Sequence, residues 1–335
     1  MKYAKYAFML ILAGAVSGCG SSGGGSGGLP PHPPPTPSPG TIVEFPVPTA
    51  NSGPSNVVKG PDGALWFLES NAGINKLARV TTTGAFTEFA MPAGVTFPSG
   101  LVSAPDGNLW FDDEASPAHL VKSTTAGAMQ VFNTAPGELG EMAIGSDGNI
   151  WAPEYQTSFD DAFNTSGQLV HHYATGYSQQ NVYIAAGTND NLFISGYGSM
   201  LGEMTTTGTA SSFNVNPPIQ NGTRNLTIGP DGNLWIADEN DNLIAKVNPS
   251  TGSVIASYSV PTANGSPWGI TSGPDGNLWF TELMGDKIAR ITTSGTITEF
   301  PLPTASAQPY WIVTGPDGNL WFTESSGNKV GYIVP

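Results

Sequence analysis

Cysteine is nearly absent. The one residue, Cys19, cannot close an intrachain disulfide, so no covalent staple holds whatever domain follows it. Basic residues are scarce too: 11 Lys and Arg stand against 26 Asp and Glu, a formal charge of −15. Nucleic acid and anionic lipid surfaces both require a basic patch, so this balance excludes them as direct partners of the folded part. A cationic or neutral ligand suits the charge better. Histidine occurs at only four positions, His32, His119, His171 and His172, which leaves few groups for base catalysis or metal ligation. There is no phosphate-binding glycine loop, no nucleophile elbow and no cysteine pair. Long apolar runs are missing as well; the stretch Ala7 to Val16 is too short to span a bilayer.

That short run behind Lys2 and Lys5 reads as a secretory signal over residues 1–18. It ends in Val16-Ser17-Gly18-Cys19, which resembles a bacterial lipoprotein box. The resemblance implies cleavage before Cys19 and its lipidation, hence an exported cell-envelope lipoprotein, periplasmic or surface-facing, with its membrane contact made by the Cys19 lipid. Removal of Lys2 and Lys5 would take the charge from −15 to −17. Residues 19–40 are Gly/Ser-rich and then Pro-rich (Pro30-Pro31-His32-Pro33-Pro34-Pro35) and cannot build a core. They read as a tether with a reach on the order of 50 Å, and His32 as a solvated spacer.

What the chain has in abundance is a repeat. Asp-Gly-x-Leu-Trp or a close variant ends at Trp66, Trp110, Trp151, Phe193, Trp235, Trp279 and Trp321, at intervals of 44, 41, 42, 42, 44 and 42 residues. Seven copies of a period in the low forties, each holding several short strands, predict an all-β, seven-bladed β-propeller of four-stranded blades over residues 41–335. The sixth copy shows how one blade is written. Strand A is Pro267-Trp268-Gly269-Ile270-Thr271-Ser272, a tight turn follows at Pro274-Asp275-Gly276-Asn277, and strand B is Leu278-Trp279-Phe280-Thr281-Glu282. Strand C is Lys287-Ile288-Ala289-Arg290-Ile291, and after Thr293-Ser294-Gly295 the alternation of Thr296-Ile297-Thr298-Glu299-Phe300 marks a half-exposed strand D. One large apolar Trp per repeat is expected to pack between neighbouring blades.

The ends of the chain predict how the ring closes. It finishes on a strand C, Asn328 to Val334, with no strand D after it. The missing strand is at the start, because Thr41-Ile42-Val43-Glu44-Phe45-Pro46-Val47-Pro48-Thr49 matches Thr296 to Thr304. Residues 41–49 should complete blade seven and leave no open sheet edge. Nothing in the sequence calls for a second copy, so a monomer is expected.

The A–B and C–D turns, which share one face, are stereotyped, whereas the D–A connections and B–C loops on the other face vary as binding loops do. A ring of residues opens strand A on that second face: Ser55, Ser99, Gly140, Val182, Arg224, Trp268 and Tyr310. Arg224, Trp268 and Tyr310 could stack on and orient a small molecule, peptide or protein partner, or they could plug the channel. A second ring lies three residues after each repeated aromatic: Glu69, Asp113, Glu154, Gly196, Asp238, Glu282 and Glu324. Hard cations want such oxygens, but Lys76, Arg79, Lys122, Lys246, Lys287, Arg290 and Lys329 fall on or beside strand C of the same blades. Ion pairs within a blade are therefore the expected explanation of this ring, with no metal, and Glu154 is the member without a strand C cation. Ligand contacts from Glu154, Glu282 and Glu324 remain candidates. His119 and the pair His171-His172 fall on expected strands C and D with no metal-ligand spacing, and the acidic loop Asp238 to Asn242 lacks the Ca²⁺-loop pattern.

The run Gly-Pro-Asp-Gly-Asn-Leu-Trp-Phe-Thr-Glu, then Lys-Ile-Ala-Arg-Ile-Thr, then Ile-Thr-Glu-Phe-Pro-Leu-Pro-Thr, resembles the virginiamycin B lyase (streptogramin lyase) family over about residues 41–335. The resemblance implies a seven-bladed propeller and a Mg²⁺-assisted carbon–oxygen lyase that opens the ester of cyclic depsipeptide antibiotics by elimination. It places catalytic histidines in Pro-His-x-Ile motifs opening strand A of the last two blades, with a glutamate two residues before the second. Here those positions hold Trp268, Tyr310 and Gln308. Neither an indole nor an amide takes a proton, and an ordinary tyrosine is a weak base at neutral pH. The expectation is a ligand- or partner-binding propeller with no cofactor. A lyase with relocated groups (Tyr310 with Glu282 or Glu324), needing Mg²⁺, is the alternative.

Overall fold

The computed structural model describes residues 37–335 except 134, 177–180, 189, 197, 216 and 220–222, and the side chains of 181, 182, 223 and 224 also lie outside the description. The signal segment, Cys19 and most of the tether therefore lie outside the described residues. So do the side chains of Arg224 and Val182.

From Ser38 onward the described chain folds as one unit of seven antiparallel four-stranded sheets, each running A-B-C-D from the centre outward. Six sheets take their strands in chain order. The seventh pairs the first strand, Ile42–Pro46, with the last, Lys329–Ile333, in the register Ile42↔Ile333 to Pro46↔Lys329. Its strands A and B are Pro309–Thr314 and Leu320–Glu324. The ring is closed by pairing its two ends, as the match between residues 41–49 and 296–304 requires.

The repeat owes its regularity to three contacts. Every repeated Trp is fully buried, and its indole N–H donates to the Asp of its own A–B turn, at 2.9 Å for Trp66–Asp62 and 3.1 Å for Trp279–Asp275. The ring stacks on the strand D aromatic of its blade (Trp279 on Phe300, centroids 5.5 Å apart) and packs against strand B of the next blade, as Trp279 does with Leu320 and Phe322. The C–D turn glycine of the following blade covers that strand D aromatic. Gly295, at φ +96°, sits so close over Tyr258 that a Cβ would lie 1.9 Å from its ring, so glycine is required there for its φ and for the contact alike.

A third contact clamps adjacent blades at three of the seven seams of the ring. Thr49, Thr262 and Thr304 follow strand D of blades seven, five and six and bond the strand D glutamate of the next blade, respectively Glu88, Glu299 and Glu44. A strand C lysine completes each clamp: Lys76–Glu88 at 2.7 Å, Lys287–Glu299 at 2.6 Å and Lys329–Glu44 at 2.6 Å. Burial raises these three carboxyl groups, but the lysine and threonine bonds more than offset it and hold them below their ordinary value. The clamps tie blades five, six, seven and one, so the seam where the chain ends meet is reinforced on both sides.

Candidate functional site

Strand A lines the centre of the ring, and its first residues are not regular. In blades one, two, four, five, six and seven the A–B register slips between its opening residues, as between Pro267 and Ile270 and between Pro309 and Ile312. Such a bulge breaks alternation and re-aims consecutive side chains. One residue past the predicted ring lie Asn56, Glu141, Tyr183 and Trp311, whose side chains reach across the channel. Period-2 reasoning missed this reach because an unbulged strand would turn a residue at this position away.

Two contacts prove the inward direction, since they join blades that are not neighbours. Asn56 of blade one donates its amide to Glu141 of blade three at 2.7 Å. Tyr183 of blade four stacks on Trp311 of blade seven, centroids 6.3 Å apart at 28°. Between them lies Gly100, where a Cβ would meet the Asp112 carboxylate at 2.4 Å. The central channel is thus bridged at this level by a polar span and an aromatic span.

The two walls of the mouth differ in chemistry. On the side of blades six, seven and four, Trp268 is buried and packs on half-buried Tyr310 with centroids 4.9 Å apart. Tyr310 in turn meets Trp311 at 6.2 Å. Blades six and seven approach closely because Gly269 has no side chain; a Cβ there would stand 2.9 Å from the Tyr310 carbonyl oxygen. Thr281 of strand B secures the approach, accepting the Gly269 N–H at 2.9 Å and donating to that same carbonyl at 3.0 Å. On the side of blades one to three the wall is acidic. Asp112, fully buried, accepts from Ser99 Oγ at 3.2 Å, and burial together with Glu141 pushes its carboxyl well above the usual range. Burial likewise pushes half-buried Glu141 up to about 7, against the pull of Asn56.

Gln308 stands on the rim with its side chain in use. Its Oε1 accepts from Ser326 Oγ at 2.6 Å, and its amide points to the Met284 sulfur at 3.9 Å. Among Trp268, Gln308 and Tyr310 the donor set does not fit Mg²⁺: an indole, an occupied amide and one phenol do not supply the several oxygens a hard cation needs.

The ring of strand B acids is elsewhere. Glu282 and Glu324 are fully buried under their own B–C loops, where a Cβ on Gly285 would stand 2.7 Å from Glu282 Oε2 and one on Gly327 2.4 Å from Glu324 Oε2. Neither carboxylate reaches the mouth. Among the described residues, the expected ion pairs between this ring and the strand C lysines and arginines do not form. Lys76, Lys287 and Lys329 stand opposite Glu69, Glu282 and Glu324 in register but bond the strand D glutamates of the clamps. Arg79, Lys122, Lys246 and Arg290 turn to the A–B turn aspartates, three of them over a repeated Trp. The physical reason is solvation: an ammonium head reaches a carboxylate at the half-exposed outer edge without being stripped of water, which the buried acids would demand. Glu69, Glu282 and Glu324 accept no hydrogen bond at either oxygen. Burial, aided by the neighbouring strand D carboxylates, pushes them up to about 7, 7 and 8.

The other ring members found local partners. Asp113 bonds His119 Nδ1 at 2.8 Å, and Asp238 accepts the Asn240 and Asp241 N–H groups, which makes the acidic loop a capped turn. Glu154 accepts from Thr157 Oγ1 at 2.9 Å and meets His172 from strand D.

Against this geometry the family comparison is decisive. The model described as the virginiamycin B lyase family matches residues 36–138 and 116–335. The chain belongs to this family. A solved structure described as streptogramin B lyase shares 25% identity, covering 87% of this chain and 96% of that one with a TM-score of 0.79. Virginiamycin B lyase from Staphylococcus aureus gives 24% identity, 88% and 99% coverage and a TM-score of 0.79, which shows the shared fold. A catalytically inactive histidine-to-alanine variant of that protein with quinupristin aligns equally, at 24% identity and a TM-score of 0.78. No functionally curated protein matches the chain.

Proposed function

We propose that this propeller is a binding module of the lyase family that has given up the elimination reaction. The observation that carries it is the channel mouth itself. Where the family resemblance places two histidines and a glutamate, the chain has Trp268, Tyr310 and Gln308, and no histidine occurs after His172. A similar solved structure is a catalytically inactive variant lacking one histidine, which supports reading the replacement of both family histidines as loss of the reaction. Neither Glu282 nor Glu324 can supply the base the elimination requires, since both are sealed beneath their loops.

The site recognises its ligand through two unlike walls. Tyr310 and Trp311 offer faces for stacking, and Glu141, with Asn56 beside it, offers an acceptor to a cationic or hydrogen-bond-donating group. Arg224 belongs to the same proposal as a rim residue of blade five. The ligand class is a small molecule or a peptide end that carries both an apolar ring and a donor. Export and lipidation at Cys19, with a monomeric propeller displayed on its 19–40 tether, complete the reading.

The test is a titration of the full-length protein with a type B streptogramin such as quinupristin, read by tryptophan fluorescence and by mass spectrometry with Mg²⁺ present. Saturable quenching with the antibiotic intact, lost in Tyr310→Ala/Trp311→Ala, supports the proposal. A linear isomer of unchanged mass restores the carbon–oxygen lyase alternative with relocated groups.

A further inference from the structure

Blade three departs from the clamp chemistry of blades six, seven and one at three registered positions. In blade six, strand C begins with Lys287, places buried Ala289 opposite Phe280, and faces Glu299 on strand D. The same positions in blade three hold Phe159, Asp161 and His172, because Asp161 stands opposite Ala152 on strand B and His172 on strand D. The cation of the clamp has moved outward to an imidazole, and an extra carboxylate has been put into the blade interior. Glu154 is retained at the position of Glu282 and Asp161 is added, and Phe159 stands where the clamp lysine would be.

The three side chains converge. One ligand atom each of Glu154, Asp161 and His172 lies within 4.8 Å of the others. His172 Nδ1 is 2.7 Å from Asp161 Oδ1 and 3.6 Å from Glu154 Oε1. A bond length of about 2.0–2.2 Å to nitrogen or carboxylate oxygen sets ligand atoms roughly 3.3 Å apart in a tetrahedron, and these separations bracket that value. Glu154 is 4% exposed and Asp161 is fully buried, yet Glu154 Oε1 and Asp161 Oδ2 accept no hydrogen bond. A cation bound among the three residues would give these buried carboxylates a partner.

The surroundings hold the ligands in place. Thr157 Oγ1 donates to the other oxygen of Glu154 at 2.9 Å. Phe159 lies flat against the imidazole, centroids 4.2 Å apart at 6°, which fixes its plane. His172 keeps 39% of its side chain exposed, so solvent has access to a fourth position.

We propose that Glu154, Asp161 and His172 form a binding site for a divalent transition-metal ion of the zinc type. One imidazole nitrogen and two carboxylates suit such an ion better than Mg²⁺ or Ca²⁺, which take oxygen ligands in larger number. Binding replaces the His172–Asp161 hydrogen bond, so the imidazole presents an unprotonated Nδ1 and its remaining proton stays on Nε2. The site is separate from the channel mouth, and its occupancy is independent of the ligand-binding proposal. No sequence spacing reveals it, since the ligands come from the end of strand B and from strands C and D.

The test is calorimetric titration of metal-stripped full-length protein with ZnSO4, alongside thermal melts with and without Zn²⁺. The expected result is one equivalent bound with a Kd of 10 µM or tighter, and a Zn²⁺-dependent rise in Tm. Both should weaken at least tenfold in His172→Ala, which alters a partly exposed residue and leaves the blade folded, and in Asp161→Asn. Co²⁺ should give a low-symmetry d–d spectrum that His172→Ala abolishes. Absence of saturable Zn²⁺ uptake below 100 µM, or uptake unchanged in His172→Ala, overturns the proposal.

Discussion

Replacing Glu324 by glutamine should stabilise the protein, and increasingly so as pH rises from about 4.5 to about 8. The native carboxyl is fully buried, accepts no hydrogen bond, and has Glu44 near it while Lys329 is committed to Glu44. Burial pushes it from 4.5 to about 8, so between those pH values the folded state holds a proton that the unfolded state releases. Native stability therefore falls as pH rises from about 4.5, and the loss is complete above about 8. At about 1.4 kcal/mol per tenfold change, the limiting cost is roughly 5 kcal/mol. Lys329 and local relaxation screen part of it, leaving about 2 kcal/mol at pH 8.5. Glutamine has the shape of the protonated acid and no charge to desolvate. For a domain of this size 1 kcal/mol is roughly 2–4 °C in Tm, so Glu324→Gln should melt about 4–8 °C above wild type at pH 8.5 and within about 2 °C of it at pH 5. Calorimetric melts across that range decide it, because Glu69 and Glu282 titrate alike in both proteins and cancel in the difference. A variant that is less stable than wild type by the same amount at every pH would refute the reasoning.

Other outcomes follow from the same contacts. Deleting residues 41–49 removes strand D of blade seven and the Phe45–Trp321 stack and should lower Tm by more than 15 °C or prevent folding. Deleting 20–40 should shift it by less than about 2 °C, and equal melting of the two truncations would show the closure to be wrong. Thr304→Val removes the clamp between blades six and seven and should cost about 1–2 kcal/mol in urea unfolding. Gly295→Ala places a methyl group into Tyr258 at a positive φ and should cost at least about 2 kcal/mol by the same measurement.

The architecture was legible because each repeat encodes local chemistry that works alone. Asp275-Gly276-Asn277 makes the turn, Trp279 four residues after the Asp reaches back to it, and Gly295 fits only under an aromatic from the preceding blade. The strand match between 41–49 and 296–304 carried the closure for the same reason. The site was half legible. The place of Trp268 and Tyr310 at the start of strand A could be read from the repeat, whereas the cross-channel reach of Tyr183 and Trp311 could not, since a bulge is a property of backbone pairing and leaves no regular mark in residue order, and Glu141 lies before the short strand A of blade three. The partners of the lysines were misread for a related reason: Lys76 has Glu69 opposite it and Glu88 on the next strand, and only desolvation chooses between them. The Glu154–Asp161–His172 convergence was invisible because three strands bring it together.

The central claim is that the mouth built on Trp268, Tyr310 and Trp311 binds without carrying out elimination. Incubating the purified protein with quinupristin and Mg²⁺, then separating the products by chromatography with mass detection, tests it most directly. The account predicts that the cyclic antibiotic is recovered intact after many hours at micromolar enzyme. A new peak of identical mass, the ring-opened product, would contradict it.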